Sequence, residues 1–225
     1  MVITGFLAAT AVGQLFFGPI SDRFGRRLPL LVGLGLFLFG SAMALVAPNL
    51  DVLVLARLIQ GIGAAAAMVL SRVIINDTHT PREAAARMAT VMSATALAPM
   101  LAFSLGGVLY DLFGWRGAIG VTVLLGVIAF VCALIVLKET HRFQKTRLSL
   151  ESVALNYIGL LSNRRFILFA GNLGFQASIF FAFVSFLPFA FHKLGYSAAA
   201  FGVFVTALPA GFLIGSSVSR KLTPT

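Results

Sequence analysis

Acidic residues are scarce in this chain: seven among 225, against 17 lysines and arginines, for a formal net charge of +10. Cysteine is scarcer. Cys132 stands alone, so no internal disulfide can form. Charged residues of both signs reach only 11%, where a soluble domain carries about a quarter. These shortages exclude an ordinary soluble protein, a disordered tail and a disulfide-stapled scaffold. His79, His141 and His192 are isolated in separate loops, with no metal-ligand cluster and no phosphate loop. Gly61-Ile-Gly63-Ala-Ala-Ala66 mimics a dinucleotide fingerprint, but no strand precedes it and it sits in an apolar run. No catalytic residue, metal or cofactor is therefore expected. What is plentiful is apolar: 59% of residues are hydrophobic and the mean hydropathy is +0.99. That composition points to an all-α membrane protein of several spans.

Seven charge-poor stretches are long enough to cross a bilayer, which takes about 17–25 residues. They are Val2–Ile20 (span A), Leu28–Ala47 (B), Leu50–Ser71 (C), Met88–Leu109 (D), Ala118–Leu137 (E), Phe166–Phe191 (F) and Ser197–Val218 (G). None alternates polar with apolar, and all are too long for barrel strands. The net positive charge would also suit a nucleic-acid binder, so the placement of the charges decides. Arg23, Arg26 and Arg27 lie between A and B, and Arg72, Arg82 and Arg87 lie between C and D. Lys138, Arg142, Lys145, Arg147, Arg164 and Arg165 lie between E and F, with Arg220 and Lys221 after G. The other face has Arg116 and Lys193 alone. This is the positive-inside distribution; it places the basic loops in the cytoplasm and leaves no nucleic-acid surface. Met1 falls almost inside span A without a basic leader, unlike a signal peptide. Seven spans put the two ends on opposite faces, as expected of a piece of something larger.

Thr80-Pro81-Arg82-Glu83 predicts a helix start, with Thr80 as cap, Pro81 in the first turn and Glu83 completing a capping box. Span D is then the membrane part of a longer helix that begins in the cytoplasm. From Ser149 to Asn163, Leu150, Val153, Ala154, Tyr157, Ile158 and Leu161 form one helical stripe. Ser149 can cap this helix and Glu151 suits its first turn. It is too short to span, and reads as an amphipathic helix on the cytoplasmic surface, against lipid or other helices. A passive linker is its simplest role. The expected organisation is a bundle over 1–137, a cytoplasmic linker over 138–165 and the start of a second bundle over 166–225.

The run Gly18-Pro-Ile-Ser-Asp22-Arg23-Phe-Gly25-Arg26-Arg27 joins A to B. Gly25 permits a tight return, and Asp22 can accept hydrogen bonds from arginines or from a helix N-terminus. A topology-fixing basic turn explains the arginines but not Asp22 with the glycine spacing. The run resembles the loop signature of the major facilitator superfamily between its second and third helices. Arg57-Leu-Ile-Gln60-Gly61-Ile-Gly63 in span C is similar to that family's fourth-helix motif. Span D carries Pro99, Gly106 and Gly107, resembling the fifth-helix motif of its antiporters, although Phe103 stands where those proteins have proline and Ala102 where they have glycine. Gly114-Trp115-Arg116, Lys138-Glu139-Thr140 and Leu194-Gly195-Tyr196-Ser197 resemble the drug-efflux branch, in particular its bicyclomycin/chloramphenicol-type transporters. The resemblance implies a major facilitator-type bundle with seven transmembrane helices of an expected twelve, helices two to eight. It also implies a bacterial inner-membrane protein, monomeric when full length, that exchanges protons for drug-like molecules. Gly215-Ser-Ser-Val-Ser219-Arg220 after span G echoes the run after span A, as an internal repeat would.

Arg57 lies about 10 Å into span C, at 1.5 Å per residue. A charge near mid-membrane costs about 2.5–3.5 kcal/mol, so Arg57 should face a cavity or a partner. Gln60 and Gly61 lie one turn further along. No span holds an acid in its interior, so a proton-carrying carboxylate is not evident. Asn172 and Gln176 in span F are one turn apart, with Phe180 continuing the face. Together with Gln14 in span A they are candidates for a small-molecule cavity, or for plain helix packing. Thr10 and Thr206 are weaker candidates. An uptake transporter for a sugar or organic anion is the main alternative. A complete seven-span receptor or membrane enzyme is a third, opposed by the short loops.

Overall fold

The computed structural model describes residues 2–140, 150–197 and 199–206, and all regular structure among them is helical. In chain order the helices are α1 (Val2–Phe24), α2 (Arg27–Leu45), α3 (Leu50–Thr78), α4 (Pro81–Val136), α5 (Leu150–Ser162) and α6 (Arg164–Lys193). Residues 199–206 begin a seventh. Five helices, α1 to α4 and α6, are long and apolar enough to cross a membrane. The 56 residues of α4 hold spans D and E together, broken only at Gly114 (φ 67°). The expected connection between D and E is thus a single residue, because a left-handed backbone at glycine interrupts a helix without a loop. The remainder of span G, the Gly215–Arg220 echo and the Ser149 cap lie outside the described residues.

Local sequence accounts for the helix starts. Asn49 Oδ1 accepts from the Val52 amide at 2.9 Å and starts α3. Pro81 is the first residue of α4, where its missing N–H costs nothing, and Glu83 accepts from the Thr80 amide (3.1 Å) and hydroxyl (2.8 Å). The expected capping box and the helix start ahead of span D are present. The helix expected between Ser149 and Asn163 is α5.

The chain divides into two compact units. The first comprises Met1–Ala85 with Ile119–Ser178, the second Ala86–Ala118 with Ile179–Thr225. In the first, α3 packs against both α1 and α2. Its core is Phe17, Ala65, Ala66 and Leu70, flanked by Leu30, Val69 and Ile74. Alanine and glycine dominate the seam because, without a hydrophobic drive between helices in lipid, close approach supplies the contact. Elsewhere large apolar side chains point outward: Ile135, Val136 and Phe189 are each about three-quarters exposed, and α6 has no buried residue. In water such surfaces would aggregate; against acyl chains they are at home.

In the second unit, residues 199–206 lie along the 86–113 arm of α4. Asp111 accepts from the Ala199 amide at 3.0 Å, the Ser104 and Thr206 hydroxyls meet at 2.6 Å, and Gly202 sits against the Phe103 carbonyl.

Candidate functional site

Helices α1 and α2 are joined by two residues, Gly25 and Arg26. Gly25 has φ +88°, and a Cβ there would run into the Glu139 carboxylate. Gly25→Ala should therefore cost about 2 kcal/mol in backbone strain and displaced carboxylate, read as a lower unfolding temperature in detergent.

The turn buries Arg26 at 6% exposure. Its Nη1 donates to Asp22 Oδ1 at 2.6 Å and to the fully buried Ser21 hydroxyl at 2.8 Å. Its Nε donates to Asp77 Oδ2, at the end of α3, at 2.7 Å. Burial works against this charge. The hydrogen bonds and charges of Asp77 and Asp22 outweigh it and hold the guanidinium's pKa above the ordinary arginine value. The stabilisation is complete below the ordinary arginine pKa and is lost only as pH climbs through the raised value. Arg26 is thus no pH sensor in the physiological range.

A third acid closes the cluster. Glu139 accepts from the backbone amides of Arg26 (2.8 Å) and Arg27 (3.2 Å) at the start of α2. Arg27 Nη2 in turn donates to the Leu134 carbonyl in the last turn of α4, at 3.0 Å. Orphan amides at one helix start and an orphan carbonyl at one helix end are satisfied by charges of the right sign. Three of the chain's seven acids therefore converge on one two-residue turn, above the apolar plug of Phe17, Leu30, Leu70 and Ile74. Of the loop residues singled out in the sequence, Asp22, Gly25, Arg26 and Arg27 meet here. Arg23 stays outside, lying over the Phe24 ring at 5.3 Å. Gly18 has open space beside it.

Deeper in the bundle is a second polar group. Arg57 Nη1 donates to Gln60 Oε1 at 2.6 Å, and Gln60 Nε2 donates to the Ser41 hydroxyl on α2 at 2.7 Å. Gln60 and Ser41 are buried. The guanidinium lies over the Phe6 ring of α1 at 5.1 Å, while its buried Nε has no hydrogen-bond partner among the described residues. Thr10 completes the group: its hydroxyl lies 3.1 Å from the Gly61 carbonyl and 2.8 Å from that of Phe6. Arg57 thus has a partner inside the bundle, and Gly61 permits the contact between α1 and α3.

The other candidates are separate. Gly106 and Gly107 line a cavity of about 560 Å³ in the second unit with Tyr110, Asp111, Phe191 and His192; Pro99 lies further along the arm, half-buried. On α6, Gln176 Nε2 donates to Asn172 Oδ1 at 3.1 Å; both are exposed, and Phe180 packs edge-on against Phe181. Gln14 Nε2 approaches Met68 Sδ at 3.8 Å. Sequence reasoning missed Asp77, and it named Glu139 only within the Lys138-Glu139-Thr140 run, without its partner at the A–B turn. The available signal was scarcity, since each is an acid set among basic loops.

Long apolar helices and buried polar groups at helix seams define an integral, multi-pass helical membrane protein. The chain belongs to the Major Facilitator Superfamily, whose family model matches residues 1–225. It is 36% identical over 195 residues to an uncharacterized MFS-type transporter, YdgK, of Bacillus subtilis, covering 85% of this chain and 48% of that protein. It is 29% identical over 187 residues to a bicyclomycin resistance protein homolog of Haemophilus influenzae, covering 81% and 46%. A crystal structure of a D-xylose–proton symporter superposes with a TM-score of 0.68 at 20% identity, covering 98% of this chain and 58% of that one. The expected fold class and family are borne out. The chain spans about half the length of the curated relatives it matches.

Proposed function

We propose that this protein exports drug-like, amphipathic small molecules across the bacterial inner membrane in exchange for protons, by alternating access. The observation that carries the proposal is similarity to a protein named for bicyclomycin resistance, together with the arginine cluster at the A–B turn. Residues 1–137 form one bundle, 138–165 the linker and 166–225 the start of the second bundle. Gly18, Asp22, Arg23, Gly25, Arg26 and Arg27 act as a cytoplasmic latch that holds one conformation. Arg57, Gln60 and Gly61 tune coupling. Pro99, Gly106 and Gly107 shape the fifth helix, and Gln14, Asn172, Gln176 and Phe180 contact substrate. The protein works as a monomer in the bilayer, as a transporter and not an enzyme.

In cells, accumulation of a fluorescent drug should fall on expression and recover with a protonophore. Asp22→Asn keeps an acceptor oxygen but removes the negative charge paired with Arg26, and the expected result is a several-fold drop in export at unchanged membrane abundance. Normal export at normal abundance would sink the latch.

A second reading is uptake of an organic anion. One observation favours it: Arg57 presents a cation inside the bundle with a buried Nε that has no partner among the described residues. Substrate-dependent accumulation that rises on expression would decide for it.

A further inference from the structure

Pro19 lies within α1, which continues past it to Phe24. Proline has no amide hydrogen, so the carbonyl four residues earlier, that of Leu15, lacks its intrahelical donor. Leu15 is half exposed and belongs to the apolar run of α1, and a backbone carbonyl left unsatisfied among apolar surroundings is costly. The Tyr157 hydroxyl of α5 donates to this carbonyl at 2.6 Å, across 142 residues of sequence. Tyr157 is partly buried while its neighbours Leu155, Ile158 and Leu161 are 61%, 58% and 63% exposed. Burial of these three side chains therefore does not explain where α5 sits, and the hydrogen bond is the specific contact that ties it to α1.

We propose that Pro19 and Tyr157 form a docking site: the proline presents a free carbonyl, and the linker's tyrosine fills it. The linker helix is thereby fixed to α1 about 10 Å, seven residues, from Asp22. Its exposed arc of Leu155, Ile158 and Leu161 is left to face lipid. Tyr157 is a positioning residue, through which a displacement of the linker is transmitted to the helix that carries the Asp22–Arg26 cluster. The site is independent of what the protein transports.

The test is a double-mutant cycle on the full-length protein in lipid nanodiscs, read by hydrogen exchange of the amides of residues 150–162. Tyr157→Phe keeps the ring and removes the donor, and should raise exchange about three- to tenfold, the worth of one hydrogen bond. Pro19→Ala restores a backbone N–H at that position, which supplies the missing intrahelical donor to the Leu15 carbonyl. Tyr157→Phe in that background should then change exchange less than about twofold. Unchanged exchange on Tyr157→Phe alone, or the same fold-change in both backgrounds, overturns the proposal. Because the readout is local protection and not transport, its failure would leave the export proposal standing, and the reverse also holds.

Discussion

Arg26→Ala is expected to lower stability by about 3 kcal/mol, the scale for removing one partner of a buried ion pair. The loss arises less from the bonds removed than from what remains: Asp22 and Asp77 face each other across a vacated guanidinium site, with Ser21 buried and Glu139 nearby. Asp22, at 53% side-chain exposure, can recover water; Asp77, at 16%, cannot. Heating the detergent-solubilised protein and measuring the monodisperse fraction should show the drop directly. Arg26→Lys should recover only part of it, because one ammonium cannot point at Ser21, Asp22 and Asp77 from a fixed fork. Wild-type stability should respond weakly to salt, since the buried arm of the pair is poorly screened. A full rescue by lysine would mean that charge alone holds the turn.

Gly61→Val should be comparably damaging for a different reason. A Cβ at residue 61 would lie 2.5 Å from the Phe6 carbonyl oxygen and 3.0 Å from the Ala9 Cβ. Backbone cannot yield as a flexible side chain does, so α1 and α3 must separate, at a cost of about 3 kcal/mol. Separation would also break the Thr10–Gly61 bond and uncover Arg57. The expected readout is a sharp loss of protein recovered from the membrane fraction. Gly18→Ala is the control: nothing lies within 4 Å of that Cβ, and alanine favours helix by about 1 kcal/mol, so recovery should be unchanged or improved. Equal losses in the two variants would show that helix contact is not what Gly61 provides.

The helices that span were legible because membrane thickness writes itself into sequence as long apolar runs, and Thr80-Pro81-Arg82-Glu83 announces its own helix start. The A–B turn was legible because Asp22 and Arg26 are one helical turn apart, and local spacing suffices to pair them. Arg57 with Gln60 was legible on the same ground. Asp77 and Glu139 were not. Their partner lies 51 and 113 residues away, and no local pattern encodes which distant acid meets which turn. The tie between Pro19 and Tyr157 escaped for the same reason: the free carbonyl can be read from the proline alone, but its donor cannot. The D–E connection could not be sized from the apolar runs alone, because helix continues through the polar residues on either side of Gly114.

The Glu139 bridge has a consequence for synthesis. The start of α2 is made early, yet the carboxylate that satisfies its amides is encoded 112 residues after Arg27. Until the ribosome has delivered the whole of α4, the turn between α1 and α2 has an arginine and its neighbouring aspartate but no lid over its amides. Closure of the cluster therefore has to wait for the whole of α4. A nascent chain stalled with Glu139 still inside the ribosome should keep the turn between α1 and α2 open to a protease, and one stalled far enough beyond for Glu139 to emerge should protect it.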